Sequence, residues 1–178
     1  MTRPPFDPAT AADIATVSAQ LGRPARNVVG IAARCACGAP TVVATAPRLE
    51  DGTPFPTVYY LSHPAATAAL SFLEATQVMN EYNQMLADDE SLRAHYLSAH
   101  ESFLADRAQL GDVPEIAGIS SGGMPERVKC LHALAAHSLA AGPGVNPIGD
   151  LALHRAAWSP QVCECLDYSP SVAPPAEA

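Results

Sequence analysis

The residues best suited to chemistry gather in one stretch, Ile119-Ser-Ser-Gly-Gly-Met-Pro-Glu-Arg-Val-Lys-Cys-Leu-His132. It continues through His137 to Ala141-Gly-Pro-Gly-Val-Asn-Pro-Ile-Gly-Asp150. Ser120, Ser121, Gly122 and Gly123 can wrap backbone N–H groups around an anion, with a helix N-terminus behind them and Arg127 and Lys129 nearby. The chemistry would be anion binding. It is not a P-loop, whose lysine directly follows the last glycine; the plainer alternative is a flexible loop leading into a helix. Lys129 is the single lysine beside nine arginines, consistent with a role that needs an amine.

Cys130, His132 and His137 resemble a ligand cluster until helical spacing is applied. Pro125 marks a first helical position, Glu126 favours the positive end of the dipole, and Gly142-Pro143 stops the helix, so it spans about Pro125 to Ala141. Positions two apart on a regular helix face nearly opposite ways, which separates Cys130 from His132. Cys130 and His137 share a face but stand about 10 Å apart along the axis. Such a helix offers one ligand to any one site.

Cys35-Ala-Cys37 resembles half of a zinc knuckle, one residue shorter than Cys-x-x-Cys. Alternation along an extended chain aims its two sulfurs to opposite sides, so one of them, not both, is expected to take part. Cys163-Glu-Cys165 carries the same limitation. His63 ends a strand close in topology to the Cys35 turn, whereas His95, His100 and His154 read as solvated. The Gly-x-Ser-x-Gly elbow, the His-Glu-x-x-His helix, the Walker loop and the dinucleotide fingerprint are all missing.

The elements that must position these residues follow from periodicity. Pro8 to Leu21 carries Ile14, Val17 and Leu21 at helical spacing and closes on Gly22. Three β-type runs come next, Asn27 to Arg34, Thr41 to Ala46 and Thr57 to Ser62, with links short enough for an antiparallel meander. From Pro64 the pattern is helical, one long or broken helix to Ala87. Asp88, Asp89 and Glu90 interrupt it and cap another over about Ser91 to Leu110. Asp150 to Trp158 forms a last short helix. The fold class is α+β: a small three-stranded antiparallel sheet packed with four to five helices. Residues 1–8 are expected to be a flexible lead, 9–166 a single domain, and 167–178, rich in Pro, Ala and Ser, a disordered tail.

At 178 residues the chain is long enough for one substantial core. Net charge −8 with a pI near 5.1 argues against general nucleic-acid binding and against an anionic membrane surface. With no signal-peptide core and no apolar run able to cross a bilayer, a cytoplasmic location is expected. Five cysteines in such a chain read as thiols or metal ligands rather than a disulfide framework.

Pro47-Arg-Leu-Glu-Asp-Gly-Thr-Pro-Phe-Pro-Thr-Val-Tyr-Tyr-Leu61, Gly122-Gly-Met-Pro-Glu-Arg-Val-Lys-Cys-Leu-His132 and Ala141 to Asp150 together resemble the family known as domain of unknown function 501. The resemblance covers roughly residues 25 to 165 and implies a mainly actinobacterial protein of no established activity. The family pattern has Cys-Pro where this chain has Cys35-Ala36, and a second Cys-Pro where it has His63-Pro64. Cysteine exchanged for histidine is what a tetrahedral zinc site tolerates, whereas a nucleophile or an iron–sulfur cluster tolerates it less well. The departure from the family pattern thus favours zinc, and the candidate metal ligands are Cys35, His63, Cys130 and one of Cys163 or Cys165. The family's gene neighbourhood, beside genes for a septum-formation protein and an exopolyphosphatase, implies a phosphorylated ligand.

Three functional readings follow. One is a small metal-containing binding or accessory protein with an anion-binding loop. Another is an enzyme acting on a phosphorylated or other anionic small molecule, with Arg127 and Lys129 holding the anion and Cys130 or a metal-bound water reacting. The last is a metal-free scaffold.

Overall fold

The computed structural model describes residues 6–165, so the expectations for residues 1–5 and for the tail from Asp167 lie outside the described residues. A helix α1 (Ala11–Leu21) precedes strands β1 (Val28–Arg34), β2 (Pro40–Thr45) and β3 (Tyr59–Leu61). Helices α2 (Pro64–Ala75), α3 (Val78–Asp88), α4 (Glu90–Ala108), α5 (Leu131–Ala141) and α6 (Pro147–Arg155) follow, with a 3-10 turn at Pro114–Ile116. The sheet runs β1-β2-β3, antiparallel throughout, which is the expected meander in an α+β fold.

β2 is central and buried along its whole length, because both of its faces are covered. Its alternating side chains divide between two clusters. Val43 packs with Ile31 and Val17 beneath α1, while Val42 and Ala44 join Leu61, Tyr59 and the helices on the other face. The lead is not wholly free of the sheet: Asp7 and Ile31 exchange backbone hydrogen bonds of 3.0 and 2.8 Å at the β1 edge. Gly30 is required there, since a Cβ would stand 2.3 Å from the Phe6 ring.

Local signals start the helices where short polar side chains meet free N–H groups. In α1, Thr10 Oγ1 accepts the Asp13 N–H at 3.1 Å while Asp13 Oδ2 accepts the Thr10 N–H at 2.9 Å, a capping box. Asp89 caps α4 through the Leu92 N–H at 2.9 Å, and Asn146 caps α6 through that of Gly149 at 2.9 Å. The long helix from Pro64 breaks at Gln77, whose φ is 62°.

The central helix departs from expectation: it begins at Leu131, not Pro125. The backbone groups of 127–130 are satisfied from outside a helix. The Gly123 carbonyl accepts the Arg127 N–H at 3.1 Å, and that of Gly122 accepts those of Lys129 at 2.8 Å and Cys130 at 3.2 Å. Asn83 brackets Val128, accepting its N–H at 2.8 Å and donating to its carbonyl at 3.1 Å. These contacts hold Val128 outside any helix and buried in the core. Pro125 carries the local signal of a helix start, but tertiary partners of residues 127–130 delay the helix to Leu131.

Arg107 is a buried cation that pairs with carbonyls instead of a carboxylate. It donates to Pro56 at 3.1 Å, to Ile116 at 2.7 Å and to Ile119, tying two loops to α4. Replacing it by methionine leaves those three oxygens without their donor. Arg107→Met is expected to destabilise the fold by about 3 kcal/mol in urea unfolding; a change within about 0.5 kcal/mol, the usual range for surface sites, would mean that water satisfies the carbonyls.

Candidate metal centre

Cys35 follows the last residue of β1 and is buried at 4 % exposure, and the chain then reverses tightly. The Gly38 N–H donates to the Cys35 carbonyl at 2.7 Å and the Cys35 N–H to Ala39 at 2.9 Å, with Gly38 at φ 88°. Such a left-handed turn suits glycine. Because the chain turns here, the alternation expected for Cys35 and Cys37 does not apply, and both sulfurs point into one space.

The second pair arrives on the segment after α6. Trp158 is buried against His63, their ring centres 5.2 Å apart, and the Ala36 N–H donates to the Pro160 carbonyl at 2.7 Å. That hydrogen bond docks the C-terminal segment on the hairpin turn. The sulfurs of Cys35, Cys37, Cys163 and Cys165 then all lie within 4.8 Å of one another, with 3.3 Å between Cys37 and Cys165. Zinc–sulfur bonds of about 2.3 Å in a tetrahedron place sulfurs about 3.8 Å apart, so one ion spans the group. A disulfide needs sulfurs about 2.05 Å apart.

The electrostatics of the four thiols are collective. The Ala39 N–H beside its sulfur, then the Cys165 and Cys163 side chains, bring Cys37 down to about 7. Burial, followed by the neighbouring sulfurs, pushes Cys165 well above the thiol range. A first negative charge is welcome in this pocket and a last one is not. A cation at the centre removes that penalty, since coordination deprotonates thiols outright. The Cys163 sulfur also receives the Cys165 N–H, the same relation that Ala39 has to Cys37.

His63 is 1 % exposed, and its Nε2 lies 3.2 Å from the Cys165 sulfur while Nδ1 has no partner. Burial lowers its pKa and keeps the ring neutral. Cys130, expected in the same group, is elsewhere. As the extended residue before α5, with φ −147° and ψ 112°, it lies outside the helix, and the two-apart rule does not separate it from His132. Its sulfur lies 3.9 Å from His132 Nδ1, which is 3.1 Å from Glu74 Oε1. Cys130 then Glu74 raise the His132 pKa to about 9 against the opposing effect of burial. His137 lies deep in the core, away from both groups, at 0 % exposure.

The Ser120–Gly123 loop closes on itself. Ser120 Oγ lies 2.8 Å from His100 Nδ1 and donates to the Met124 carbonyl at 3.1 Å; Ser121 Oγ lies 3.4 Å from Thr57 Oγ1. A Cβ at Gly122 would meet the Leu134 side chain at 2.6 Å and one at Gly123 the Arg127 carbonyl at 2.5 Å. Close packing accounts for both glycines. Arg127 and Lys129 are exposed, and the nearest helix N-terminus, at Leu131, already gives its N–H to Glu74 at 2.7 Å. His100 is thus packed against this loop rather than freely solvated, and His95 Nε2 lies 2.6 Å from the Gly144 carbonyl. Among the described residues no helix is long and apolar enough to cross a membrane.

A family model described as "Protein of unknown function (DUF501)" matches residues 31–154. The match takes in Cys35, Cys37, His63, Glu74, Cys130 and His132 and stops before Cys163 and Cys165. No curated protein and no solved structure matches the chain.

Proposed function

The chain belongs to the DUF501 family, and we propose that it is a zinc protein whose ion is structural, clasping the C-terminal segment to the hairpin turn of a binding or accessory protein. The observation that carries this reading is the convergence of four sulfurs, from two distant pieces of chain, within 4.8 Å. Tetrahedral four-thiolate sites take zinc or iron, and zinc, which has no redox chemistry, is the usual ion where the role is structural; a site filled by four protein ligands has no open position for a reacting molecule. A closed site of this kind holds the fold.

His63 then acts on the ligand rather than on the ion. Direct coordination by Nε2 would put the ring hydrogen on Nδ1, which is buried with no acceptor. Donation from Nε2–H to the Cys165 sulfur leaves only a lone pair unmatched there, which costs less than a buried donor. The histidine supports the thiolate as outer partners of metal ligands commonly do. The ligand set is therefore Cys35, Cys37, Cys163 and Cys165, with Cys130 outside it.

Elemental analysis of untagged Cys130→Ser protein tests this, with the fifth cysteine removed so that only this centre is counted. One zinc per chain is expected, falling well below one when Cys163→Ser is added. Four titratable thiols with no zinc retained or taken up would sink the reading.

A further inference from the structure

Glu74, Cys130 and His132 meet at a point of their own. Glu74 stands at the C-terminal end of α2, Cys130 precedes α5, and His132 lies in its first turn. One oxygen, one sulfur and one ring nitrogen lie within 4.8 Å of one another. Their carriers come from two helices that pack side by side, so the group is held by the fold and not by chance side-chain excursions.

The far side of the histidine ring fixes what the near side can do. Nε2 lies 3.2 Å from the Thr67 carbonyl and 3.1 Å from Ser71 Oγ. A carbonyl only accepts, so Nε2 carries a hydrogen. Nδ1 is then left facing the Glu74 carboxylate at 3.1 Å and the Cys130 sulfur at 3.9 Å. A bare lone pair set against a carboxylate is repulsive. The centre of the triangle requires a positive charge, either a proton or a metal ion.

We propose that Glu74, Cys130 and His132 form a second metal site, for a zinc-like divalent ion with a fourth position open to solvent. Bonds of about 2.3 Å to sulfur and about 2.0 to 2.2 Å to nitrogen and oxygen put such ligands roughly 3.2 to 3.6 Å apart, and the observed separations bracket that range. The Nε2–H held by a backbone carbonyl is the outer contact that metal-bound histidines usually make. Mixed sulfur, nitrogen and oxygen donors suit zinc and exclude magnesium and calcium, which take oxygen. The Glu74 and His132 side chains keep 26 % and 24 % exposure, so the ion is reached from water. Three protein ligands and an open position are what a reacting zinc needs and the four-sulfur centre lacks.

The site stands independently of the four-cysteine centre, and so does its test. Full-length untagged protein is alkylated with iodoacetamide with and without free zinc, and modification is followed at each cysteine by peptide mass spectrometry. Zinc is expected to slow the reaction at Cys130 by about tenfold or more, since coordination takes the thiolate from attack. Glu74→Gln and His132→Gln should lose most of that protection while Cys35, Cys37, Cys163 and Cys165 keep theirs. The wild-type comparison decides the matter even where a variant fails to fold. Equal rates at Cys130 with and without zinc overturn the proposal and assign the central charge to a proton, whatever zinc does at the other four cysteines.

Discussion

If the proposed ion is structural, stripping it is expected to lower the melting temperature by about 10 °C, because metal binding at a site absent from the unfolded chain is itself folding energy. A contribution of about 3 kcal/mol corresponds to a shift of this size in a chain of this length. Among the described residues, the segment beyond α6 is held by Trp158 buried against His63, by the His63–Cys165 contact and by the Ala36 to Pro160 hydrogen bond, while Val162, at 61 % exposure, and Cys163 are exposed. Its release uncovers Trp158 and His63, both buried. Differential scanning calorimetry with and without chelator reads the effect. A chain ended after Ser159 lacks Cys163 and Cys165 and should melt at the lower temperature with or without chelator. An unchanged melt after confirmed loss of zinc would remove the structural role.

The second large effect is on acid stability and comes from His137. The ring is fully buried, stacked on Tyr59 with centres 5.9 Å apart and edge-on to Phe103 at 5.4 Å. Asn146 Nδ2 donates to its Nδ1 at 3.2 Å, a contact that a protonated ring would turn into two opposed donors. Burial brings its pKa down to about 4, with the Asp150 charge a smaller effect in the opposite direction. The folded state therefore refuses a proton that the unfolded chain takes up near 6.5. Stability from this group is full above about pH 6.5 and falls as pH drops toward 4, by about 3 kcal/mol in all. Urea unfolding at pH 7 and pH 4.5 should show wild type losing more stability than His137→Gln over the same interval. Equal losses would mean that His137 does not govern the acid limb.

The order of elements was legible because its signals are local. Val17 and Leu21 at helical spacing, the β-type runs between turn residues and Asp89 as a cap needed no distant partner, and the three-stranded meander follows from short links. The start of α5 was not legible: Pro125 carries the right local signal, but Asn83, forty-five residues upstream, takes over the backbone of Val128. Asn146-Pro147 was the missed signal for α6, since asparagine followed by proline is a cap and a first helical position.

The site divides in the same way. That the cysteines are ligand-type residues was visible in composition and spacing. The partnership of Cys35 and Cys37 was hidden because alternation assumes extended chain, and here Gly38 closes a turn. Cys35-Ala-Cys37-Gly38 carried the clue, as glycine after the second cysteine supplies the left-handed residue. Cys130 was misplaced for the matching reason: helical spacing separated it from His132, yet it stands just outside the helix. Glu74 had no sequence signal at all; only the packing of α2 against α5 brings it there.

Zinc-edge X-ray absorption on the Cys130→Ser protein tests the four-sulfur centre most directly, since that variant removes the sulfur of the second site. Four sulfur neighbours at about 2.3 Å, with no nitrogen in the first shell, are the expected result. A shell containing the His63 nitrogen, a shell of nitrogen and oxygen alone, or cysteines joined as disulfides with no zinc bound would contradict it.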